Sequence, residues 1–396
     1  MPIPSPFHSR TASLCETQEW RDWSGYLAAG LYGPSHEREY YAVRNSAALF
    51  DVSPLYKYEV SGPDAARLVN RIITRDVGSC RTGQVIYSPW CNDDGRMIDD
   101  GTISRLDETR FRITAAEPNL RWFQDCGCGL AADVADVSAH LAAVALQGPQ
   151  ARNILKRLLP GAGLDQLSFF RLAEVTLAGF PVVVTRTGYT GDLGYELWVA
   201  PGYAGRLWDM LVEQGQPYGL TPAGMVALDM VRIEAGLPLI EVDYIPAPKA
   251  MTEAQTSSPF EIGLGWTVAL NKGNFIGRRA LLAEADRGSQ WAFVGLEVNW
   301  PDIEALFKAV GLTPHLAGRA SRNPVPVYDG VRQIGQATSH TYSPLLKKYI
   351  ALATIESQYA LPGRQIALEM TVEFSRQTAM AAVVELPFFN PLRKRV

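Results

Sequence analysis

Hydrophobic positions recur along the chain with two periods, and the switches between them mark out its elements. Pro181–Arg186 is rich in β-branched residues, and Tyr195, Leu197 and Val199 alternate with Glu196 and Trp198. A two-stranded hairpin is therefore expected around the glycine-bearing turn Thr187–Gly194. Tyr56–Val60, Met97–Ile103, Arg110–Ala115 and Val144–Leu146 read as further strands, with Asn92–Gly95 a turn between two of them. Helical spacing appears at Leu68, Val69, Ile72 and Ile73, then over Ala151–Leu159, Tyr203–Gln214 and Met225–Ala235. In the last of these Val226, Met230 and Ile233 form the apolar face, while Asp229 and Arg232 fall off it. Ala42–Phe50 reads as a short helix, residues 1–17 as an extended lead-in, and Gly263–Val268 as a strand. From Trp291 onward short strands follow one another between turns, the pattern of a barrel or a sandwich. Glu241–Ser258 has no period and is expected to be a long loop, a kind of segment that often carries function.

Composition narrows the class. A chain of 396 residues implies two or three domains, and 47% hydrophobic with 20% charged residues is ordinary for a globular protein. The net charge of -4 is spread along the chain, which argues against nucleic-acid and membrane partners. There is no apolar run of about 18 residues and no signal-peptide core near Met1. Five sparse cysteines suit a reducing cytoplasm, the location expected here. Cys126-Gly127-Cys128 lacks a second pair, and His8, His36, His140, His315 and His340 are scattered, so no metal is expected. Dinucleotide, P-loop, nucleophile-elbow and zincin motifs are absent.

Three places remain as candidate chemistry. Glu196 is a carboxylate on a strand beside an open turn, where it could accept from the N–H donors of a planar ligand or simply face solvent. Asp99 and Asp100 are adjacent in a strand, so they point to opposite faces and one should look inward. Arg232, near a helix end, suits the helix dipole and could equally clasp a carboxylate. The aromatic residues from Trp20 to Tyr41 are either core or the wall of a flat pocket.

Several short motifs then occur in a telling order. They are Phe50-Asp51-Val52-Ser53, Gly83-Gln84 with Tyr87, Ile98-Asp99-Asp100, Gln147-Gly148-Pro149, Thr187-Gly188-Tyr189-Thr190-Gly191 and Gly194-Tyr195-Glu196. Arg232-Ile233-Glu234-Ala235-Gly236-Leu237, Gly263-Leu264-Gly265-Trp266, Phe275-Ile276-Gly277-Arg278 and Ser343-Pro344-Leu345 complete the set. In this order the chain resembles the aminomethyltransferase family, the T-protein of glycine cleavage and its tetrahydrofolate-dependent methyltransferase relatives. The resemblance implies an α+β protein of three domains around a central channel that holds tetrahydrofolate, ending in a C-terminal β-barrel. The implied domains are 1–52 with 142–230, 53–141 with 231–290, and 291–396. It implies Asp99, kept ionised, near N5 of the pterin, Glu196 reading the pterin N–H donors, and Arg232 near the folate tail. Tyr87, Tyr189 and Trp266 are expected to line the channel, with Thr114 counted among the cofactor-binding residues.

The departures from the family pattern lie on the side of the one-carbon donor. Pro54-Leu55 follows Ser53, Thr114-Ala115-Ala116-Glu117 replaces an asparagine-bearing run, and Val226-Ala227-Leu228-Asp229 precedes the arginine. The segment Glu241–Ser258 is long and less acidic, and Asn299–Asn323 is an insertion. The resemblance then implies a small methylated donor, an aromatic methyl ether such as a methoxybenzoate of the dicamba type. The alternative is an aminomethylated lipoyl carrier protein. With an ether donor, the departing phenolate needs a hydrogen-bond donor, and His36, Tyr32 and Tyr87 are the candidates. Lys249 is the candidate for a benzoate carboxylate.

Overall fold

The computed structural model describes residues 1–396. Its first sheet has six strands in the spatial order Leu172–Leu177, Phe180–Thr185, Gly194–Val199, Ala142–Gln147, Ala47–Asp51 and Leu220–Pro222. The hairpin pairs as its alternation predicts, with Val183 opposite Trp198 and Thr185 opposite Glu196. Tyr195, Leu197 and Val199 enter the core beneath the helices Ala151–Leu158 and Ala204–Gly215. Trp198 packs on the opposite side, with Tyr40, Val43 and Met230. Glycine is required at two places in the turn: a Cβ at Gly188 or at Gly194 would lie 2.1 Å from the amide oxygen of buried Gln147. That amide donates to the Thr187 carbonyl and accepts from the Thr190 hydroxyl, so Gln147 holds the loop in shape.

Three local expectations are overturned. Ala47–Asp51 is a strand, and the helix before it, His36–Asn45, ends at Ser46. Ala47, Ala48, Leu49 and Phe50 are all buried because the strand lies inside the sheet, and an apolar run covered on both faces carries no alternation to distinguish it from a helix. The lead-in contains a helix, His8–Leu14, anchored by Phe7 against Trp208. Gly263–Val268 is a turn and a short 3-10 segment; Gly263 at φ 73° cannot continue a strand.

A second sheet runs Val85–Cys91, Met97–Arg105, Arg110–Ala115, Tyr56–Ser61 and Asp133–Asp136. Phe111, Ile113 and Trp90 pack beneath the helices Ala65–Ile72 and Leu120–Cys126. Strand alternation leaves Tyr87, Asp100, Thr102 and Thr114 away from that core. This face meets the first sheet, where the Arg112 guanidinium lies 5.9 Å from the Trp198 ring. Gly101 permits the tight approach of the neighbouring strand, since a Cβ there would lie 1.8 Å from the Thr114 carbonyl oxygen.

The C-terminal strands close into a six-stranded barrel: Trp291–Val298, Lys348–Glu356, Arg332–Ser343, Val325–Asp329, Gln365–Val372 and Ser375–Val384. The insertion contributes the helix Trp300–Ala309, whose Ile303 and Phe307 complete the barrel core. A buried polar knot joins the barrel to the rest. Arg44 and Glu234 pair at 2.6 Å, Arg44 donates to the Thr190 carbonyl of the glycine turn, and Ser343 of the barrel donates to Glu234. Buried charges of this kind hold only when fully partnered, so the knot fixes where the glycine turn sits relative to helix Met225–Glu234.

Candidate active site

Glu196 is half-buried on its strand. Its Oε2 accepts from the Thr187 hydroxyl at 2.8 Å and from the Thr185 hydroxyl at 3.4 Å, while Oε1 has no protein partner. Burial raises its pKa, and the two threonine bonds work in the opposite direction. A carboxylate braced on one oxygen and free on the other is built to accept a hydrogen bond from something else.

The two aspartates divide as strand alternation requires. Asp99 is fully enclosed: Oδ1 accepts from the Asp100 amide at 2.7 Å, and Oδ2 accepts from the Glu117 amide and from Asn119 Nδ2, both at 2.9 Å. Burial, then the neighbouring Asp100 charge, push its pKa well above the usual carboxylate range. Both oxygens are thus taken up within the protein, on the core side of the strand. Asp100 is half-buried and faces the aromatic side. Tyr87 donates to it at 2.7 Å and Tyr244 donates to its other oxygen. Burial raises the Asp100 pKa while the two phenol bonds oppose the rise.

Tyr87 stacks near Trp266, with ring centroids 6.3 Å apart at 25°, and Trp266 is 64% exposed with the Arg75 guanidinium 5.3 Å away. An exposed indole between a phenol and a guanidinium is a platform at the mouth of the site. Tyr189 is half-buried and donates to the Pro238 carbonyl at 2.5 Å. Burial raises the Tyr189 pKa, and Arg232, Asp100 and Asp243 all act on the same hydroxyl. Thr114 shares a 2.5 Å hydrogen bond with Thr102, one register step along the sheet from Asp100.

Arg232 is placed differently from the expectation. It is 1% exposed, and its guanidinium donates to Asp229 at 2.8 Å, to Asp243 at 2.5 Å and to Ser339 at 2.7 Å. Burial works against its charge, but Asp243 and Asp229 override it and raise the pKa. Its carboxylate clasp is already filled from within the protein. Lys249 is likewise engaged, at 2.5 Å from Glu117 and 2.6 Å from Glu241.

His36 and Tyr32 do not join the cluster. His36 lines a separate cleft with Glu37, Tyr41, Gly318, Tyr342, Pro344 and Lys347. Tyr32 is buried beside Cys15 and Ala29 in a small hollow that includes Trp23, Asp51 and Met225. Burial, followed by the Asp51 and Glu39 charges, raises the Tyr32 pKa, which makes it a poor proton donor. Trp90 is fully buried core beside Phe123. The residues that sequence reasoning missed are Asn119, which caps Asp99, and Tyr244, which reaches Asp100. Tyr244 lies in the aperiodic segment, and a single aromatic residue there carried no pattern.

The candidate residues are thus a carboxylate with one free oxygen at Glu196 and, on the second sheet, Asp100 held by Tyr87 and Tyr244 beside the exposed Trp266. Two family models match: the GCVT N-terminal domain over residues 7–272 and the glycine cleavage T-protein C-terminal barrel domain over 308–390. An aminomethyltransferase of Halothermothrix orenii is 35% identical over 354 residues, 88% of this chain and 90% of that protein. A trimethylamine-oxide aldolase of Ruegeria pomeroyi is 33% identical over 402 residues, 98% of this chain but 47% of that longer protein. The crystal structure of glycine cleavage system aminomethyltransferase T from Bartonella henselae superposes with a TM-score of 0.82 at 24% identity, covering 98% of this chain and 99% of that one, which establishes the fold. The chain belongs to the glycine cleavage T-protein family.

Proposed function

We propose that this protein is a tetrahydrofolate-dependent one-carbon transferase that takes its carbon from nitrogen, in the manner of an aminomethyltransferase. The observation that carries the reading is Glu196, whose Oε1 is free while Oε2 is braced by Thr187 and Thr185. A pterin presents adjacent N–H donors on one edge, and a carboxylate is the acceptor that suits them. The aromatic residues Tyr87, Tyr189 and Trp266 suit its flat rings. When bound, tetrahydrofolate supplies a secondary-amine nucleophile, N5, to accept the carbon. The chain's own residues orient the reactants and manage a proton. Asp100 faces this side, and burial raises its pKa against the two phenol bonds, so it takes up a proton more readily than an exposed carboxyl would.

The named relatives support a carbon–nitrogen donor over the aromatic methyl ether expected from the sequence. Electrostatics support it as well. A methoxybenzoate needs a cation for its carboxylate, and the two cations expected from the sequence to face a ligand carboxylate, Arg232 and Lys249, are already paired. The test is to incubate the full chain and tetrahydrofolate with an aminomethylated lipoyl carrier protein, trimethylamine N-oxide or 4-methoxybenzoate, and to identify the folate product. Product from a nitrogen donor is expected. Transfer from 4-methoxybenzoate alone would contradict the reading.

A further inference from the structure

Arg112 lies where the second sheet meets the first, with its guanidinium 5.9 Å from the Trp198 ring. The residue is buried, its Nε has no hydrogen-bond partner, and neither terminal nitrogen donates to a protein oxygen. The other buried arginines are different. Arg44 donates to Glu234 and to the Thr190 carbonyl, Arg186 to the Leu167 carbonyl, and Arg232 to Asp229, Asp243 and Ser339. A guanidinium taken out of water needs acceptors, and here the protein supplies none. Ser104, directly across the strand pair from Arg112, is also buried, and its hydroxyl makes no bond to the protein. Lys57 lies diagonally across on the same face, fully buried, with the Ser53 carbonyl as its one acceptor at 2.6 Å. Two carboxylates act on the guanidinium without closing it. Glu59 is opposite in the neighbouring strand but pairs with Arg110 at 3.9 Å, and Glu174 is exposed.

We propose that Arg112 and Ser104 form a binding site for a small carboxylate at the junction of the two sheets, separate from the place where the one-carbon unit is transferred. The planar guanidinium fork matches a carboxylate in two parallel hydrogen bonds, and the Ser104 hydroxyl adds a third donor. Glu59 and Glu174 limit the charge the site accepts, so a singly charged carboxylate suits it better than a doubly charged phosphate. Ser104 is four residues along its strand from Asp100, a span of about 13 Å at the usual strand rise. The site therefore stands apart from the Asp100 face, and its assignment does not depend on the transfer reading.

The test is calorimetric titration of the full chain with sodium acetate and with sodium phosphate at pH 8 and fixed ionic strength, each with and without saturating tetrahydrofolate. Acetate is expected to bind at one site, and phosphate about threefold or more weakly. Arg112→Met should weaken acetate by about tenfold or more, and Arg112→Lys, which keeps the charge without the planar fork, by about threefold or more. Thermal unfolding supplies a second readout. Arg112→Met removes a buried charge that has no partner, so its Tm in acetate-free buffer should equal or exceed the parent's, while the rise in Tm that acetate gives the parent should be lost. No acetate binding by the parent, undiminished binding by Arg112→Met, or tighter binding of phosphate would overturn the proposal. A Tm of Arg112→Met below the parent's in acetate-free buffer would do so too, since the guanidinium would then be stabilised within the protein. Tetrahydrofolate carries carboxylates of its own, and its displacement of acetate would assign Arg112 to the folate and overturn the separate site. Acetate binding that persists unchanged beside tetrahydrofolate supports it.

Discussion

Replacing Glu196 by Gln perturbs one atom at the centre of the site. The side chain keeps its size, and its remaining oxygen can still accept from Thr187, which now lies 2.8 Å from Oε2. The free acceptor, Oε1, becomes an NH2 group facing a ligand edge that also presents N–H. A charge-assisted hydrogen bond contributes about 1.5–3 kcal/mol, and an unsatisfied buried donor costs about 1–3 kcal/mol more. A loss of about 3 kcal/mol, or roughly a hundredfold in Kd, is expected for tetrahydrofolate. Calorimetric or fluorescence titration measures it directly. Thermal unfolding provides the control. Burial raises the folded-state pKa of Glu196, so the folded protein holds more protons than the unfolded chain there, and this group's contribution to stability falls as pH rises from the unfolded to the folded pKa. Glu196→Gln removes that loss, so Tm should hold or rise at neutral pH. A Kd within about threefold of the parent, with Tm unchanged, would refute the placing of the pterin edge at Glu196.

Other consequences follow from the same contacts. Arg232→Met leaves Asp243 buried without its cation and should cost about 3–5 kcal/mol of stability, read by denaturant unfolding; a change below about 1 kcal/mol would mean the ion pairs contribute little. Gly101→Ala places a methyl 1.8 Å from the Thr114 carbonyl and should give insoluble or strongly destabilised protein, whereas a soluble protein with parental Tm would show that the sheet can part there. Tyr244→Phe removes a hydrogen bond that lowers the Asp100 pKa, so that pKa rises, the ionised form requires higher pH, and the acid limb of the donor kcat/KM profile moves upward; an unmoved limb would separate Asp100 from the titration.

What could be read from the sequence follows from what periodicity encodes. The hairpin around Thr187–Gly194 was legible because one face of Gly194–Val199 is apolar throughout and the other carries Glu196, so period and register coincide. The barrel was legible as a run of short strands, although only the pairing of Trp291–Val298 with Ser375–Val384 distinguishes closure from a sandwich. Alternation also separated Asp99 from Asp100, but which of the two faces the aromatic residues depends on where the sheet packs, and that is a tertiary fact. Ala47–Phe50 was read as the end of a helix because a strand buried on both faces has no polar positions to reveal its period. Arg232 was expected to suit the helix dipole or clasp a carboxylate, but spacing places a residue on a face and says nothing of its partners: Asp243 lies across a turn and Ser339 in the barrel. His36 and Tyr32 were linked to the site through a cluster of aromatic residues close in sequence, but that cluster divides between a surface cleft and a buried hollow.

The central claim is that Glu196 on the first sheet and Tyr87 and Asp100 on the second together bound the place where the one-carbon unit changes hands. The most direct measurement is a crystal structure of the full chain soaked with 5-methyltetrahydrofolate. The account predicts the pterin edge on Glu196 Oε1 and the methyl-bearing side of the ring toward Asp100 and Tyr244. A pterin bound elsewhere, for instance in the cleft lined by His36 and Lys347, with Glu196 Oε1 left without a partner, would contradict it.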